Sequence, residues 1–322
     1  MNTGQQDFIR LADIDWSDSV CLITYGAPPA SLALSIETIG VVHSPVVQRK
    51  KSGLYRIVCG SRRLAICKKN GLDALRCSLL PEELSRQSCL RIAVFENAAA
   101  RELNPVEKFL ALSKTAGYVS RDELIDIYMP LLSLEPSEVM LGRYLSLAAV
   151  EAAVLDAVAT YSLHERTAFA LAGLRPQDRH SLFQLFKELP FSASVAEEII
   201  QLASEIALRD GSTIAAVIDS EDIRQLRLQT NRPARQRAGD IRLYLQEKRS
   251  PRLSSRKKRF AAEVRNLGLP SGVKLAPPPF FEGPRWRLEC TFGHPADLVD
   301  KLQQVIRLAG SHDLAKVMQS GP

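Results

Sequence analysis

Four consecutive residues, Gly60-Ser61-Arg62-Arg63, stand between a predicted strand and a predicted helix and could together bind a phosphate group. A glycine there permits a tight backbone turn, and the first turn of a helix presents N–H groups without intrahelical partners. Two arginines add fixed positive charge in a forked geometry. Surface arginines that merely begin a helix would look the same, so the motif predicts an anion site only together with other residues.

A second polar group, Glu96 and Asn97, follows the apolar run Ile92–Phe95, and Leu103–Glu107 comes shortly after it. We interpret the apolar run as a strand that ends in Glu96 and Asn97. A carboxylate and an amide beside a phosphate could hold Mg²⁺, which prefers hard oxygen ligands and often shares them with substrate phosphates. The second segment also matches the asparagine N-cap, first-turn proline and capping-box glutamate of a helix, so capping alone would explain it.

The elements that must position these groups change in type along the chain. Residues 36–80 alternate short apolar runs with turn signals, which predicts a compact α/β unit. Beyond Asn104 the apolar residues recur with helical periodicity, in segments that include RDELIDIY, PSEVMLGRYLSL, HERTAFALAGL and SVAEEIIQLASEIAL. This pattern predicts an all-α part of roughly 100 residues.

Positive charge is concentrated in residues 224–259, where thirteen Lys or Arg meet two acids, whereas the whole chain carries +6. Such a block can neutralise the phosphates of a nucleic acid, although a solvated linker would have the same composition. Its segment IRLYLQEKR can be helical. We interpret the run RSPRLSSRKKR as a linker or an exposed arm because it has little to bury.

The last segment predicts one strand and one amphipathic helix. Trp286, Leu288, Cys290 and Phe292 alternate with polar residues, the period of a half-buried strand. The helix after Pro295 carries four apolar residues on one face, Leu298, Leu302, Val305 and Ala309. Because so thin a core is commonly completed by association, we expect a C-terminal dimerisation module.

Composition excludes several classes of protein. With 322 residues, 46% hydrophobic and 24% charged, the chain can form folded domains. Its six cysteines include no C-x-x-C pair, so neither a zinc site nor a disulfide framework is predicted. No basic and apolar leader and no run of roughly 20 apolar residues is present. We expect a cytoplasmic protein without a membrane partner.

The order of the motifs resembles the N-terminal domain of the ParB family of DNA partition proteins. The family builds a CTP site from a segment that corresponds to Gly40–Arg49, from a G-E-R-R box at Gly60–Arg63 and from an E-N-x-x-R-x-x-L-N-P-x-E box at Glu96–Glu107. The resemblance implies CTP and Mg²⁺ as cofactors, with Glu96 as the catalytic residue and Glu96 and Asn97 at the metal. The implied CTP-binding residues are Arg49, Gly60, Ser61, Arg62, Arg63, Asn97 and Arg101.

The resemblance is looser beyond Glu107 but continues to the end of the chain. The family has a helix-turn-helix followed by an H-A-R helix, and here RDELIDIY, PSEVMLGRYLSL and His164-Glu165-Arg166 take those places. It implies that the chain binds a palindromic site in double-stranded DNA as a homodimer associated with the nucleoid. The implied DNA-binding residues are Ser137, Arg143, His164 and Arg166. A ParA-type ATPase is a further candidate partner, although the sequence begins without the short basic peptide that often binds it.

The expected fold class is α+β, with a ParB/sulfiredoxin-like α/β N-terminal domain, an all-α helix-turn-helix middle domain and a small β-α dimerisation domain. We place the CTP-binding domain at residues 1–105 and the helical DNA-binding domain at residues 106–222. A basic linker or helix at residues 223–265 then leads to the dimerisation domain at residues 266–322.

Two positions depart from the family pattern. Ser61 replaces the glutamate of the G-E-R-R box, and the arginine of the second box is shifted by one residue, so that Ala100 stands where it is expected. On a helix such a shift rotates a side chain by about 100°, which would turn Arg101 away from the site. The two changes leave open a nucleotide-independent DNA-binding adaptor or transcription regulator.

Enzymes of the same small α/β fold are the remaining alternative. A sulfiredoxin would need a cysteine at Ser61, and a small-molecule kinase would need a carboxylate near the phosphates, for which Glu96 is the candidate. Both alternatives leave the helical and basic parts without a role. If the chain is an enzyme, we expect at most a slow CTP hydrolase that acts as a switch.

Overall fold

A computed structural model gives the fold of the chain, and the structure describes residues 5–309, 314 and 317. These residues form two compact units. The first comprises the described residues up to Ala207 together with Gly211–Ala238, and the second comprises Leu208–Asp210 together with the described residues from Gly239 onwards. The boundary predicted at residue 105 falls inside the first unit and stays a prediction.

A four-stranded mixed sheet opens the first unit. Its strands are β1 (Gln5–Arg10), β2 (Val46–Arg49), β3 (Tyr55–Cys59) and β4 (Ala74–Leu80), in the order β1-β4-β2-β3. The β4–β2 pair is parallel and the other two pairs are antiparallel. The sheet packs against helices α1 (Ala30–Ile39) and α2 (Ser61–Lys69) through side chains that include Val47, Leu64 and Cys67, all fully buried. The predicted α/β unit is confirmed.

Helix α3 (Arg86–Ala100) corrects one prediction, since it contains the apolar run that was interpreted as a strand. Ser85 caps the helix by accepting a hydrogen bond from the backbone N–H of Ser88, which favours a helical start. Its buried residues, Cys89, Leu90, Ala93 and Val94, recur with the spacing of one helix face. Glu96 and Asn97 therefore lie in the last turns of a helix, not at the end of a strand.

The rest of the first unit is helical, as the periodicity predicts. Its helices are α4 (Pro105–Thr115), α5 (Arg121–Glu123), α6 (Met129–Leu131), α7 (Glu138–Ser146), α8 (Ala152–Ala159), α9 (Glu165–Ala172), α10 (Pro176–Glu188), α11 (Ala193–Asp210), α12 (Ile214–Ile218) and α13 (Glu221–Leu228). A π-helical turn, Leu124–Tyr128, joins α5 to α6. Together with the α/β fold that precedes them, these helices make the chain predominantly helical with a small sheet. This is an α+β fold.

The second unit contains two long helices and a strand-strand-helix segment. Helix α14 (Ala234–Arg249) contains the division between the units, and α15 (Pro251–Leu267), β5 (Val273–Ala276), β6 (Arg287–Cys290) and α16 (Pro295–Ala309) follow it. Strands β5 and β6 pair antiparallel. The run RSPRLSSRKKR covers the end of α14, a bend at Ser250 and the first turns of α15, so it is helical on both sides of the bend. Its role as a linker or exposed arm stays a prediction. Pro251 at the helix start and Gly268 with a φ of 65° at its end supply the start and stop signals.

Five of the six cysteines lie in buried positions. All six are free thiols, of which Cys21, Cys59, Cys67, Cys77 and Cys89 are buried. Burial raises the pKa of Cys21 to about 12 and that of Cys77 to about 11. Among the described residues no helix is long and apolar enough to cross a membrane.

Candidate functional site

Gly60 joins β3 to α2 in a conformation that strongly favours glycine. Its φ is 84°, and a Cβ added to it would lie 3.1 Å from the Cα and Cβ of Pro45. The close approach places the first turn of α2 directly beside the residue that precedes β2. No side chain caps this helix end, so its first N–H groups stay available to an acceptor.

A buried carboxylate, Glu107, joins the two arginine-containing motifs. The Nη2 atom of Arg62 lies 3.0 Å from Glu107 Oε1, and Nη1 of Arg101 lies 2.6 Å from Glu107 Oε2. Glu107 also completes the predicted capping box, since its Oε2 accepts a hydrogen bond of 3.1 Å from the backbone N–H of Asn104. Because one carboxylate meets two guanidinium groups, this arginine cluster (Arg62, Arg101 and Glu107) carries a net charge of +1.

Arg101 reaches the cluster because it lies beyond the end of α3. It is the C-cap residue, and its backbone is extended, with φ −164° and ψ 161°. The rotation expected from a one-residue shift on a helix therefore does not apply. Arg101, at the C-terminal end of α3, and Arg62, in the first turn of α2, contact the same carboxylate.

Arg62 has further contacts and one vacant donor. Its Nη2 also donates to the backbone carbonyl of Tyr25 at 2.9 Å, whereas its buried Nε has no hydrogen-bond partner among the described residues. Burial lowers the pKa of Arg62, and the neighbouring Glu107 carboxylate acts in the opposite direction. A buried guanidinium N–H without an acceptor is costly, so Arg62 can bind one more acceptor at little further desolvation cost.

Arg63 and Glu96 form the outer part of the site. The Nη1 atom of Arg63 donates to the backbone carbonyl of His43, and its Nη2 lies 3.9 Å from Glu96 Oε1. The Glu96 side chain is 41% exposed and is thus free to take a second partner. The buried Cys59 thiol lies beside Glu96, and burial together with this carboxylate raises its pKa.

The other predicted CTP ligands are arranged less directly. Asn97 donates its side-chain N–H to the carbonyl of Ala93 in its own helix at 2.8 Å. Arg49 is exposed at the end of β2, and Ser61 is the first residue of α2. The described residues contain no group of three or more His, Cys, Asp or Glu side chains that could hold a metal ion. Glu96 and Asn97 could therefore hold Mg²⁺ only together with further oxygen ligands, such as those of water and a bound phosphate.

These donors fit a phosphate group. The uncapped N–H groups of α2, the vacant Nε of Arg62 and the exposed side of Arg63 all suit a tetrahedral anion. The net positive charge of the arginine cluster adds an attraction. The donor set fits the phosphates of a nucleotide.

The helical part positions the predicted DNA-binding residues on two helices. Ser137 caps α7 by accepting from the backbone N–H of Met140 at 3.4 Å, and Arg143 lies exposed on the same helix. His164 caps α9, since its Nδ1 accepts from the backbone N–H of Arg166 at 3.2 Å. Arg166 is paired with Glu197, with Nη2 and Oε2 2.7 Å apart.

Glu165 ties these two helices together. Its Oε2 accepts a hydrogen bond of 2.7 Å from the hydroxyl of Tyr144, a buried residue of α7. Burial raises the pKa of Tyr144, and the hydrogen bond to Glu165 adds to the effect. The bond fixes the start of α9 relative to the helix that carries Arg143.

Sequence reasoning missed the contacts of three residues. Glu107 was interpreted as a helix-capping acid and as the last residue of the second box, but not as the shared partner of two arginines. Tyr25 was not singled out, and Glu165 was named only as the middle residue of the His164–Arg166 motif. An acid that falls in the same motif as an arginine, as Glu107 does with Arg101, signals a local pair. Tyr25 and Glu165 make contacts with residues distant in sequence, for which the chain offers no local pattern.

Comparison with known proteins finds a family model that is similar to the α/β part of the chain. Residues 29–98 match the family model of the ParB N-terminal domain. This part of the chain therefore carries a ParB N-terminal domain.

Relatives with assigned names agree with the family. A nucleoid occlusion protein of Geobacillus thermodenitrificans (strain NG80-2) is 27% identical over 162 residues, which cover 50% of this chain and 54% of the relative. A probable chromosome-partitioning protein ParB of Vibrio cholerae is 31% identical over 83 residues, 26% of this chain and 28% of the relative. The chain thus matches about half or less of the length of these relatives.

Solved structures of ParB proteins are also similar to the chain. C-terminally truncated ParB from Caulobacter crescentus complexed to the centromeric parS site is 17% identical, covers 61% of this chain and 98% of its own, and gives a TM-score of 0.36. The same protein complexed with CTP-gamma-S is 19% identical, covers 57% and 99%, and gives a TM-score of 0.26.

Proposed function

We propose that the chain is a DNA-binding clamp, dimeric and gated by CTP, that acts in DNA partition or in a related nucleoid or regulatory role. The observation that carries this proposal is the convergence of Arg62 and Arg101, from two motifs about forty positions apart, on the buried carboxylate of Glu107. Their surplus positive charge lies beside the uncapped N-terminus of α2, where a triphosphate can be bound.

In this proposal each residue of the site has a distinct task. Arg62 and Arg63 would hold phosphates, because one has a vacant Nε and the other an exposed outer side. Glu96 would support Mg²⁺ binding and slow hydrolysis together with Asn97, which would also couple the nucleotide to closure of the clamp. The phosphates of bound CTP would supply Mg²⁺ with the further oxygen ligands that this part of the chain lacks.

The DNA would be bound through the helical part. Ser137 and Arg143 on α7 would contact one half of a palindromic site, with His164 and Arg166 at the start of α9 beside them. A symmetric dimer would present this surface twice. The exposed basic residues of α15 would add attraction to the phosphate backbone that does not depend on sequence.

A second candidate, a DNA-binding adaptor without a nucleotide switch, is favoured by one specific observation. Arg62 and Arg101 are already paired with Glu107, and Ser61 provides no carboxylate at the start of α2. If those pairs are permanent, the cluster is a structural element of the domain and binds no nucleotide.

Calorimetry separates the two candidates. CTP is titrated into the purified full chain with Mg²⁺, with and without DNA, and ATP and UTP serve as controls. The clamp proposal predicts heat with CTP that disappears in the Arg62→Ala variant, while the variant keeps its affinity for non-specific DNA. Absence of heat with CTP under both conditions would remove the clamp and leave the adaptor.

A further inference from the structure

Tyr25 connects the arginine cluster to a helix that lies far from it in sequence. Its backbone N–H donates to Glu107 Oε1 at 3.1 Å, and its backbone carbonyl accepts from Arg62 Nη2 at 2.9 Å. Its hydroxyl donates to Asp156 Oδ1 on α8 at 2.8 Å. One residue is therefore held at its backbone by the candidate phosphate site and at its side chain by the helical part.

We propose that Tyr25 is a positioning residue that transmits occupancy of Arg62 to α8, and through α8 to the residues at the start of α9. The identity of the anion rests on the proposed function, whereas the mechanical link does not. It follows from the three hydrogen bonds of Tyr25.

The link begins at a single nitrogen atom. Arg62 Nη2 donates to both the Tyr25 carbonyl and Glu107, while Nε of the same guanidinium has no hydrogen-bond partner in the part of the chain that the structure describes. A phosphate that engages Nε and draws the guanidinium towards the α2 N-terminus weakens the bond to the Tyr25 carbonyl. Gly26, with a φ of 81° and no atom within 4 Å of a built Cβ, allows the backbone after Tyr25 to rearrange.

The link ends at the start of α9. The loop between α8 and α9 is hydrogen-bonded to the carbonyl of Ala157. This carbonyl accepts from the backbone N–H of Leu163 at 3.0 Å and from the hydroxyl of Ser162 at 3.0 Å. Ala157 is the neighbour of Asp156. A shift of α8 therefore moves His164, the residue that caps α9.

The hydroxyl bond is suited to a link that opens and closes. Burial raises the pKa of Tyr25 to about 12, with a further contribution from Asp156, so the hydroxyl stays protonated and donates at neutral pH. Asp156 lies at the surface, so its bond to Tyr25 competes with water. Such a bond is weak enough for a bound ligand to break.

Hydrogen exchange measured by mass spectrometry tests the link without nucleotide, on the full chain. Tyr25→Phe, Asp156→Ala and Arg62→Ala should each raise exchange of the α8 amides by roughly fivefold, the effect of losing one hydrogen bond. The Tyr25→Phe/Arg62→Ala double variant should exchange no faster than the faster single variant. Tyr118→Phe is the matched control, since its half-exposed hydroxyl makes no hydrogen bond with the described residues, and it should exchange as wild type.

Two results would overturn the link. One is hydrogen exchange of the α8 amides that is unchanged in both Tyr25→Phe and Asp156→Ala. Both variants keep Arg62, so a folding defect of Arg62→Ala would not affect this result. The other is a double variant whose effect is the product of the single effects, because independent sites combine in that way.

A second readout uses CTP and separates this inference from the proposed function. If anion binding breaks the link between Tyr25 and Asp156, then the Asp156→Ala variant, in which the link is already broken, should bind CTP roughly fivefold more tightly than wild type by reciprocity. Equal CTP affinity in wild type and Asp156→Ala would contradict the inference. If wild type binds no CTP, the proposed function fails, and the exchange experiment alone decides on the link.

Discussion

Arg101 Nη1 lies 2.6 Å from Glu107 Oε2, and Glu107 is the only fully buried acid among the described residues. The pair joins the residue that ends α3 to the first turn of α4. Arg62 approaches the other oxygen of the same carboxylate. The junction between the α/β fold and the helices that follow is thus made by a fully buried carboxylate that contacts two partly buried guanidinium groups.

Removing the charge of Glu107 should destabilise the chain strongly. Glu107→Gln leaves two guanidinium groups without their shared partner, and breaking a buried pair costs about 3 kcal/mol. Urea unfolding followed by circular dichroism measures the change. Glu102→Gln is the control because Glu102 is exposed and close in sequence, and its stability should stay within about 0.5 kcal/mol of wild type. Equal effects of the two variants would contradict the role of the buried carboxylate.

Gly60→Ala should cost more than Gly53→Ala. Both glycines have a φ of 84°, so an alanine is strained by about 1 kcal/mol or more at either position. Only at Gly60 does the new Cβ meet Pro45 at 3.1 Å, whereas at Gly53 nothing lies within 4 Å. The difference between the two unfolding free energies isolates the close contact. A larger loss in Gly53→Ala would be inconsistent with it.

Asp18 should make stability depend on acid pH. Its burial alone would raise its pKa, but hydrogen bonds from Arg56, the Val20 N–H and Lys50 outweigh burial, and the net pKa is lowered. A lowered folded-state pKa gives stability that is present above the unfolded value of about 3.9 and is lost as pH falls through the folded value.

The Asp18→Asn variant tests this dependence. Its free energy of unfolding should fall less than that of wild type when the pH is lowered from about 5 to 3, because the variant has no proton to take up at this site. Asp73→Asn is the control at an exposed aspartate. The unfolding free energy of Asp73→Asn should vary with pH as that of wild type does. If the curve of Asp18→Asn also runs parallel to that of wild type, the pH dependence does not come from Asp18.

Charge on α15 should set the salt dependence of DNA binding if the proposed function is right. Lys257 is exposed and makes no ion pair with the described residues, whereas Lys258 Nζ lies 2.7 Å from Glu247 Oε2. Lys257→Ala should reduce the slope of log affinity against log salt by about 0.9 if it contacts one phosphate. Lys258→Ala should reduce it less. Fluorescence anisotropy on random-sequence duplexes measures both, and an unchanged slope for Lys257→Ala would argue against contact.

The apolar face of α16 should support self-association. Val299, Leu302 and Ile306 lie at helical spacing and are 52%, 42% and 69% exposed. Ile306→Glu should therefore shift the chain towards monomer in sedimentation velocity, since a buried charge opposes the contact. Gln303→Glu, at an exposed position of the same helix, should leave the association unchanged. A wild-type chain that sediments as a monomer would remove the dimer from the proposed function.

Local patterns predicted the elements where one signal dominated. The apolar runs and turn signals of residues 36–80 predicted the α/β unit, and the Asn104 capping box predicted the start of α4. The Ile92–Phe95 run was misassigned because a short apolar run is compatible with either a strand or a helix, and the flanking Ser85 cap decides it.

The site was predictable in its residue types but not in its pairings. Arg62 and Arg63 were found from their position after Gly60, whereas the partner of Arg62 lies 45 residues away. The contact between Tyr25 and Asp156 depends on how distant segments of the chain pack together. The spacing of residues along the sequence carries no information about this packing.

The burial of five cysteines has a practical consequence for measuring motion in the chain. Cys290 is the one cysteine that is partly exposed, so a maleimide probe should react there first while the protein stays folded. Replacing Cys290 by serine and introducing a single exposed cysteine elsewhere would then give a chain with one fast-reacting thiol. The fluorescence of a probe at one chosen position could then be followed in the native protein without removing the thiols that fill its core.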